Sequence, residues 1–173
     1  MHQLEPVYRA GEIQERVRDL GEAISRYYGQ TSDLLIVGLL KGCFIFLADL
    51  VRHIRTPHEI AFLGVESYGD SMQSSGRVKL TYDPKTRIRG RSVLVVDDII
   101  DSGTTMDYVV PYLEEQDADE VQICVLLHKR SPGALERDAR WVGFDAPEKF
   151  LVGYGLGVGE SLRYLPYIAA VVE

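Results

Sequence analysis

The sequence predicts an α/β protein with a mainly parallel sheet flanked by helices, and three observations predict it. Short, continuous apolar runs recur along the chain, stretches with helical spacing lie between them, and turns rich in Gly, Asp and Ser separate the two. Strands that alternate with helices need crossover connections, which make neighbouring strands parallel and cover both faces of the sheet.

Taken in order, Ile13, Val17, Leu20, Ile24 and Tyr27 fall at steps of three and four, so they form one stripe of a helix from Ala10 to Tyr28. Leu34-Leu35-Ile36-Val37 has no polar alternation, as expected of a strand buried on both faces. Leu47, Leu50, Val51 and Ile54 then suggest a helix. Ile60 to Val65 reads as a strand, after which apolar residues nearly vanish from Tyr68 to Gly76 and Gly and Ser dominate. That stretch, within a loop at about 67–77, is the best candidate for a mobile segment. Strand signals return at Val78 to Tyr82, Val93 to Val96, Val121 to Leu127, Trp141 to Phe144 and Ile168 to Val172, with a helix between the second and third of these. Pro111 falls inside that helix and should kink it or delay its regular part. No fixed-period repeat or linker divides the chain, so residues 1–173 are expected to form one domain.

Composition narrows the function. With 46% hydrophobic and 26% charged residues, the chain has the makings of a packed core. A net charge of −7 argues against a general nucleic-acid footprint, which needs a basic face. The longest apolar run, Leu34 to Val51, is interrupted by Lys41, Gly42 and Asp49 and is not expected to enter a membrane. The first ten residues lack the apolar core of a signal peptide, so a cytoplasmic protein is expected. Cys43 and Cys124 sit in apolar surroundings without metal-ligand spacing and are expected to be reduced core residues.

The chemistry concentrates after Val93-Leu94-Val95-Val96, where Asp97-Asp98-Ile99-Ile100-Asp101-Ser102-Gly103-Thr104-Thr105 leads into a helix. Ligands of open α/β sheets bind beyond the carboxyl ends of strands, and a helix N-terminus offers unpaired N–H groups and a favourable dipole to an anion. Ser102, Gly103, Thr104 and Thr105 therefore suit a phosphate monoester: the hydroxyls donate and the glycine admits close approach. Asp97 and Asp98 can accept hydrogen bonds from the two hydroxyls of a ribose diol, directly or through a divalent cation. An isolated pair of this kind would more often be a solvated acidic turn beside a helix cap. Nine residues of these types, between an apolar strand and a helix, are more specific than that.

This segment resembles the phosphoribosyl pyrophosphate motif of the hypoxanthine–guanine phosphoribosyltransferases, and other segments resemble that family in the same order. They are Gly38-Leu39-Leu40-Lys41-Gly42, Phe46 to Leu50, Ser67-Tyr68-Gly69, Leu126 to Arg130, and Phe150 to Gly155. The resemblance covers nearly the whole chain. It implies a type I phosphoribosyltransferase core with a small hood built from the chain termini, and Mg²⁺-dependent transfer of phosphoribosyl from phosphoribosyl pyrophosphate to a 6-oxopurine. By position, it assigns Asp101 to the purine N7 as general base, Lys129 to the 6-oxo group, and Phe150, with Leu151, to the base. Lys41, Gly42 and Arg163 match residues that meet pyrophosphate, and Ser67 and Tyr68 the start of a closing lid. Any Mg²⁺ at Asp97 and Asp98 would be held through the diol or water. The family further implies a homodimer or homotetramer, while the acidic charge and the interrupted apolar run leave no nucleic-acid or membrane partner expected.

One position departs from the family. Where an Asp that contributes to a metal site is usual, this chain has Gly157, and Val158-Gly159 lacks the expected aromatic residue. Because the sugar-phosphate motif is shared more widely than the base pocket, xanthine or guanine preference, or a regulatory binder of nucleic acid, are alternatives. Lys129 and Phe150 favour a 6-oxopurine, and the acidic charge disfavours the nucleic-acid binder.

Overall fold

Alternate residues of the central strands face opposite layers, and this sorts the core into two. The computed structural model describes residues 3–30, 33–68, 77–130 and 138–172. Strands β1 (Gln3–Tyr8), β2 (Leu34–Leu40), β3 (His58–Tyr68), β4 (Arg77–Tyr82), β5 (Ser92–Ile100), β6 (Glu120–His128), β7 (Trp141–Asp145), β8 (Leu151–Val152) and β9 (Ile168–Val172) combine with helices α1 (Ala10–Tyr28), α2 (Phe44–Val51) and α3 (Thr104–Glu114). Six strands form one sheet in the order β4-β3-β2-β5-β6-β7. All its neighbours are parallel except β4, which runs antiparallel to β3. Leu34, Ile36, Leu94, Val96, Cys124 and Leu126 pack with α1 and α2, while Leu35, Val37, Val93, Val95, Ile123 and Val125 pack with α3.

A second sheet, β1-β9-β8, joins the two ends of the chain antiparallel and brings Leu151, Ile168 and Ala170 onto the α1–α2 side of the core. It is the hood that the family resemblance implies. Tyr154 ties it down by donating a hydrogen bond to Asp49 on α2, which also accepts one from Gln14 on α1.

Several elements differ from their expected form. Helix α1 has the expected bounds, but its buried stripe ends on Tyr28, four residues beyond Ile24, and Tyr27 is 41% exposed. Tyr27 instead meets Trp141 edge-on and donates to Glu120. Helix α2 starts and stops earlier than its apolar spacing suggests. Helix α3 begins at Thr104 without delay and runs unbroken through Pro111 to Glu114, and the C-cap Glu115 donates to the Pro111 carbonyl at 2.9 Å. Strand β5 extends through Asp97 and Asp98 to Ile100, because its ladder with β6 continues to His128. Both cysteines are buried and free. No helix among the described residues is long and apolar enough to cross a membrane.

Candidate active site

The cleft lies where the carboxyl ends of β5 and β6 meet the hood. It encloses about 280 Å³ and is lined by Asp98, Ile99 and Asp101 from β5 and its continuation, Lys129 after β6, Lys41 and Gly42 after β2, and Phe150, Leu151, Leu156, Gly157 and Arg163 from the hood segment. Nine of the residues singled out in the sequence converge here, from four separate stretches of chain. Asp97 is not among the lining residues, and Ser102 to Thr105 lie at the start of α3. A second hollow, of about 380 Å³, is bounded by Val78, Thr104, Asp107 and Tyr108. The ends of the loop expected at about 67–77 are strand instead, Ser67 and Tyr68 closing β3 and Arg77 opening β4, because the two strands pair up to Tyr68 and Arg77; the rest of it, 69–76, lies outside the described residues.

Register and backbone bonds place the polar groups. The Lys129 amide donates to the Ile100 carbonyl at 2.9 Å, which sets Lys129 beside the turn that carries Asp101. Lys129 Nζ then lies 3.1 Å from Asp101 Oδ2, with the lysine 13% and the aspartate 59% exposed. A sheltered cation thus holds a carboxylate that faces solvent. Phe150 is 59% exposed despite its apolar ring, while Leu151 beside it is buried. An aromatic face left open at a cleft is a surface on which a flat ring can stack.

Asp97 and Asp98 show a different electrostatic state. Asp97 Oδ1 accepts the Asp98 amide and Asp98 Oδ1 the Ile99 amide, each at 2.9 Å. Burial, reinforced by the neighbouring Asp98 carboxylate, pushes Asp97 well above the usual carboxylate range. Burial also raises Asp98, although hydrogen bonds and the Arg163 charge oppose it. Asp98 is the member that reaches the cleft, and Gly42 makes room for it: a Cβ at Gly42 would stand 1.9 Å from Asp98 Oδ2. The Gly42 carbonyl in turn packs 2.2 Å from where a Cβ on Gly155 would be. The loop after β2 is therefore wedged between β5 and the hood.

Arg163 is held by two carbonyls, donating from Nη1 to Gly155 at 2.8 Å and from Nη2 to Gly159 at 3.0 Å. Its side chain lies across Gly157, where a Cβ would meet Arg163 Cγ and the Ser161 carbonyl, each at 2.9 Å. Gly157 thus leaves room for a guanidinium where a side chain would stand. At the start of α3, Gly103 is the N-cap in the left-handed region, φ 82°, and no side chain caps the helix. Its first-turn amides and the Ser102 and Thr104 hydroxyls, 2.9 Å apart, can serve an anion. Among the described residues no group of three or more His, Cys, Asp and Glu is placed to hold a metal ion. A Mg²⁺ here could take only one or two carboxylates and would draw its other ligands from substrate oxygens and water, a set this ion accepts.

Comparison with known proteins decides the family. Residues 5–157 match the phosphoribosyl transferase domain. Hypoxanthine phosphoribosyltransferase of Salmonella typhimurium is 40% identical over 172 residues, covering 99% of this chain and 97% of that protein. This chain belongs to the hypoxanthine–guanine phosphoribosyltransferase family. The hypoxanthine-guanine phosphoribosyltransferase of Bacillus subtilis is 44% identical over 160 residues, covering 92% of this chain and 88% of its own length. A crystal structure of a Bacillus anthracis hypoxanthine-guanine phosphoribosyltransferase superimposes with a TM-score of 0.91 at 36% identity, over 97% of this chain and 98% of that one. The domain match stops at Gly157, so Arg163 and β9 are covered by the full-length relatives of this phosphoribosyltransferase.

Sequence reasoning passed over three residues of the site. Ile99 and Leu156 line the cleft as apolar neighbours of residues that were singled out. Glu160, which binds Lys41 at 2.6 Å, is a lone acid in a glycine-rich turn and carries no local signal.

Proposed function

We propose that this enzyme salvages purines by joining hypoxanthine, and guanine, to phosphoribosyl pyrophosphate, releasing IMP or GMP and pyrophosphate. The observation that carries the reading is the Lys129–Asp101 pair beside the open ring of Phe150. A donor and an acceptor 3.1 Å apart match the 6-oxo oxygen and the protonated N7 on one edge of a 6-oxopurine. Adenine offers a 6-amino donor to Lys129, which can only donate, so it is rejected.

In the reaction, the purine N9 lone pair forms the bond to C1 of the ribose as the bond from C1 to pyrophosphate oxygen breaks, and the N7 proton passes to Asp101. Positive charge develops on the sugar and negative charge on the leaving group. Asp98, backed by Asp97, accepts from the ribose hydroxyls beneath the sugar, while Lys41, the Gly42 backbone and Arg163 meet pyrophosphate. Ser102, Gly103, Thr104 and Thr105 hold the 5-phosphate, and Phe150 and Leu151 the base. Mg²⁺, when bound, neutralises pyrophosphate charge. Ser67 and Tyr68 begin a lid that excludes water.

The two unpaired cysteines suit a reducing compartment such as the cytoplasm. The net charge of −7 supports small-molecule substrates over nucleic acid. The reading takes the chain as one domain that assembles as a homodimer or homotetramer. Incubation with phosphoribosyl pyrophosphate, Mg²⁺ and one purine at a time tests it. Nucleotide should form with hypoxanthine or guanine and not with adenine; equal use of adenine, or no product from any 6-oxopurine, overturns it.

A further inference from the structure

Lys41 and Arg163, the two cations given above to pyrophosphate, already share an anion. Glu160 Oε2 lies 2.6 Å from Lys41 Nζ, and Oε1 of the same carboxylate lies 3.7 Å from Arg163 Nη2. The contact joins the loop after β2 to the hood turn across 119 positions of sequence. Its hydrogen bond and charge from Lys41 hold the Glu160 carboxyl below its ordinary range, so it is ionised at neutral pH. Glu160 has no evident part in the fold: it is 73% exposed, and the turn it occupies is closed by the backbone pair Val158–Ser161. A carboxylate that bridges two phosphate-binding cations puts negative charge where the leaving group of the substrate is expected.

We propose that Glu160 is an internal counter-ion that pairs with the pyrophosphate cations until phosphoribosyl pyrophosphate binds and displaces it. The proposal rests on the assignment of Lys41 and Arg163 to pyrophosphate. Pyrophosphate carries several charges against one on Glu160, so the exchange runs forward. Each cation nevertheless leaves an existing partner, and the net affinity is lower than the cations alone would give. The same exchange run backwards favours departure of the product, since Lys41 and Arg163 return to a waiting carboxylate rather than to water. Glu160 is thus a residue that sets affinity for pyrophosphate without touching the reacting atoms.

Titration calorimetry of inorganic pyrophosphate, with Mg²⁺ present, into the full chain and three variants tests this. Glu160→Gln keeps the shape and removes the charge; it should tighten binding roughly two- to ten-fold, the range of an exposed ion pair plus the removal of one like charge. Lys41→Met should weaken binding. In the double variant the gain from Glu160→Gln should shrink, because the carboxylate has lost its nearest cation. If Lys41→Met leaves pyrophosphate binding unchanged, the assignment of the site fails and takes the proposal with it. If Lys41→Met weakens binding but Glu160→Gln leaves it unchanged or weaker, or gains as much without Lys41 as with it, the counter-ion alone is overturned.

Discussion

Just before β5, the buried guanidinium of Arg91 lies 2.6 Å from Asp33 and 2.9 Å from Glu59, whereas at the far end of the same strand Asp97 and Asp98 have no cation at ion-pair distance among the described residues. Both ends place charge against the core. At the first end the charge is compensated, at the second two acids are pressed together and their affinity for protons rises. The difference follows the rule that ligands of parallel sheets bind at the carboxyl ends of strands. Protein groups complete the charge balance where only folding is at stake, and leave it incomplete where a substrate is to complete it.

The largest expected effect breaks the functional end and spares the fold. Asp101→Asn keeps the shape but cannot take the purine proton, and the chemical step should slow about 10²–10⁴-fold, roughly 3 to 5 kcal/mol of barrier. Because Asp101 is well exposed, the melting temperature should barely move. Single-turnover rates equal to wild type would remove Asp101 from the chemistry.

At the opposite end the pattern should invert. Arg91→Met removes a cation with only 4% of its side chain exposed and leaves Asp33 and Glu59 without it. Breaking a fully buried pair costs about 3–5 kcal/mol, but both carboxylates here reach solvent, so about 2 kcal/mol is expected. Melting should fall by roughly 4–8 °C for a chain of this size. Turnover measured well below the transition should stay as it was, and a loss of turnover by the folded variant would show that the two ends are coupled.

What the sequence made legible follows from where each signal resides. The period of α1 and the apolar runs of β2, β5 and β6 are local, so they can be found by inspection. Strand β1 carries no local signal, because Glu5 and Pro6 make a poor strand by themselves and its partner is at the other end of the chain, with Gln3 opposite Val172. Strand β8 is two residues long and exists through β9. The strand signal of β5 stops at Val96, because acids rarely occupy a buried strand; the ladder with β6 keeps the chain extended to Ile100. At the site, the residue types after β5 were readable as sugar-phosphate chemistry. Glu160 was not, since its partner Lys41 is supplied by the hood's position, and nor was the use of Gly157 as room for Arg163.

The smallest expected effect sharpens the contrast between the two ends by completing the charge balance artificially. Asp97→Asn removes one acid of the crowded pair, and its amide oxygen can still accept the Asp98 amide. In the wild type, the raised proton affinity of Asp97 means that the folded state holds a proton the unfolded chain releases. Stability therefore declines as pH rises from the ordinary carboxylate range through the elevated folded value, and the penalty stays in full above it. The asparagine has no such penalty, so the variant should be the more stable protein at neutral pH, by about 1 kcal/mol or ~2–4 °C in melting temperature. The advantage should nearly vanish at about pH 3, where the wild-type acid is largely protonated in both states, and widen as the pH rises above the ordinary carboxylate range. Affinity for phosphoribosyl pyrophosphate should drop at the same time, as expected where a strained acid serves a ligand rather than the fold. Melting curves across this pH span decide it: a variant less stable than wild type at neutral pH would mean that the Asp97 carboxylate is compensated in the folded protein, and the two ends of β5 would then be alike.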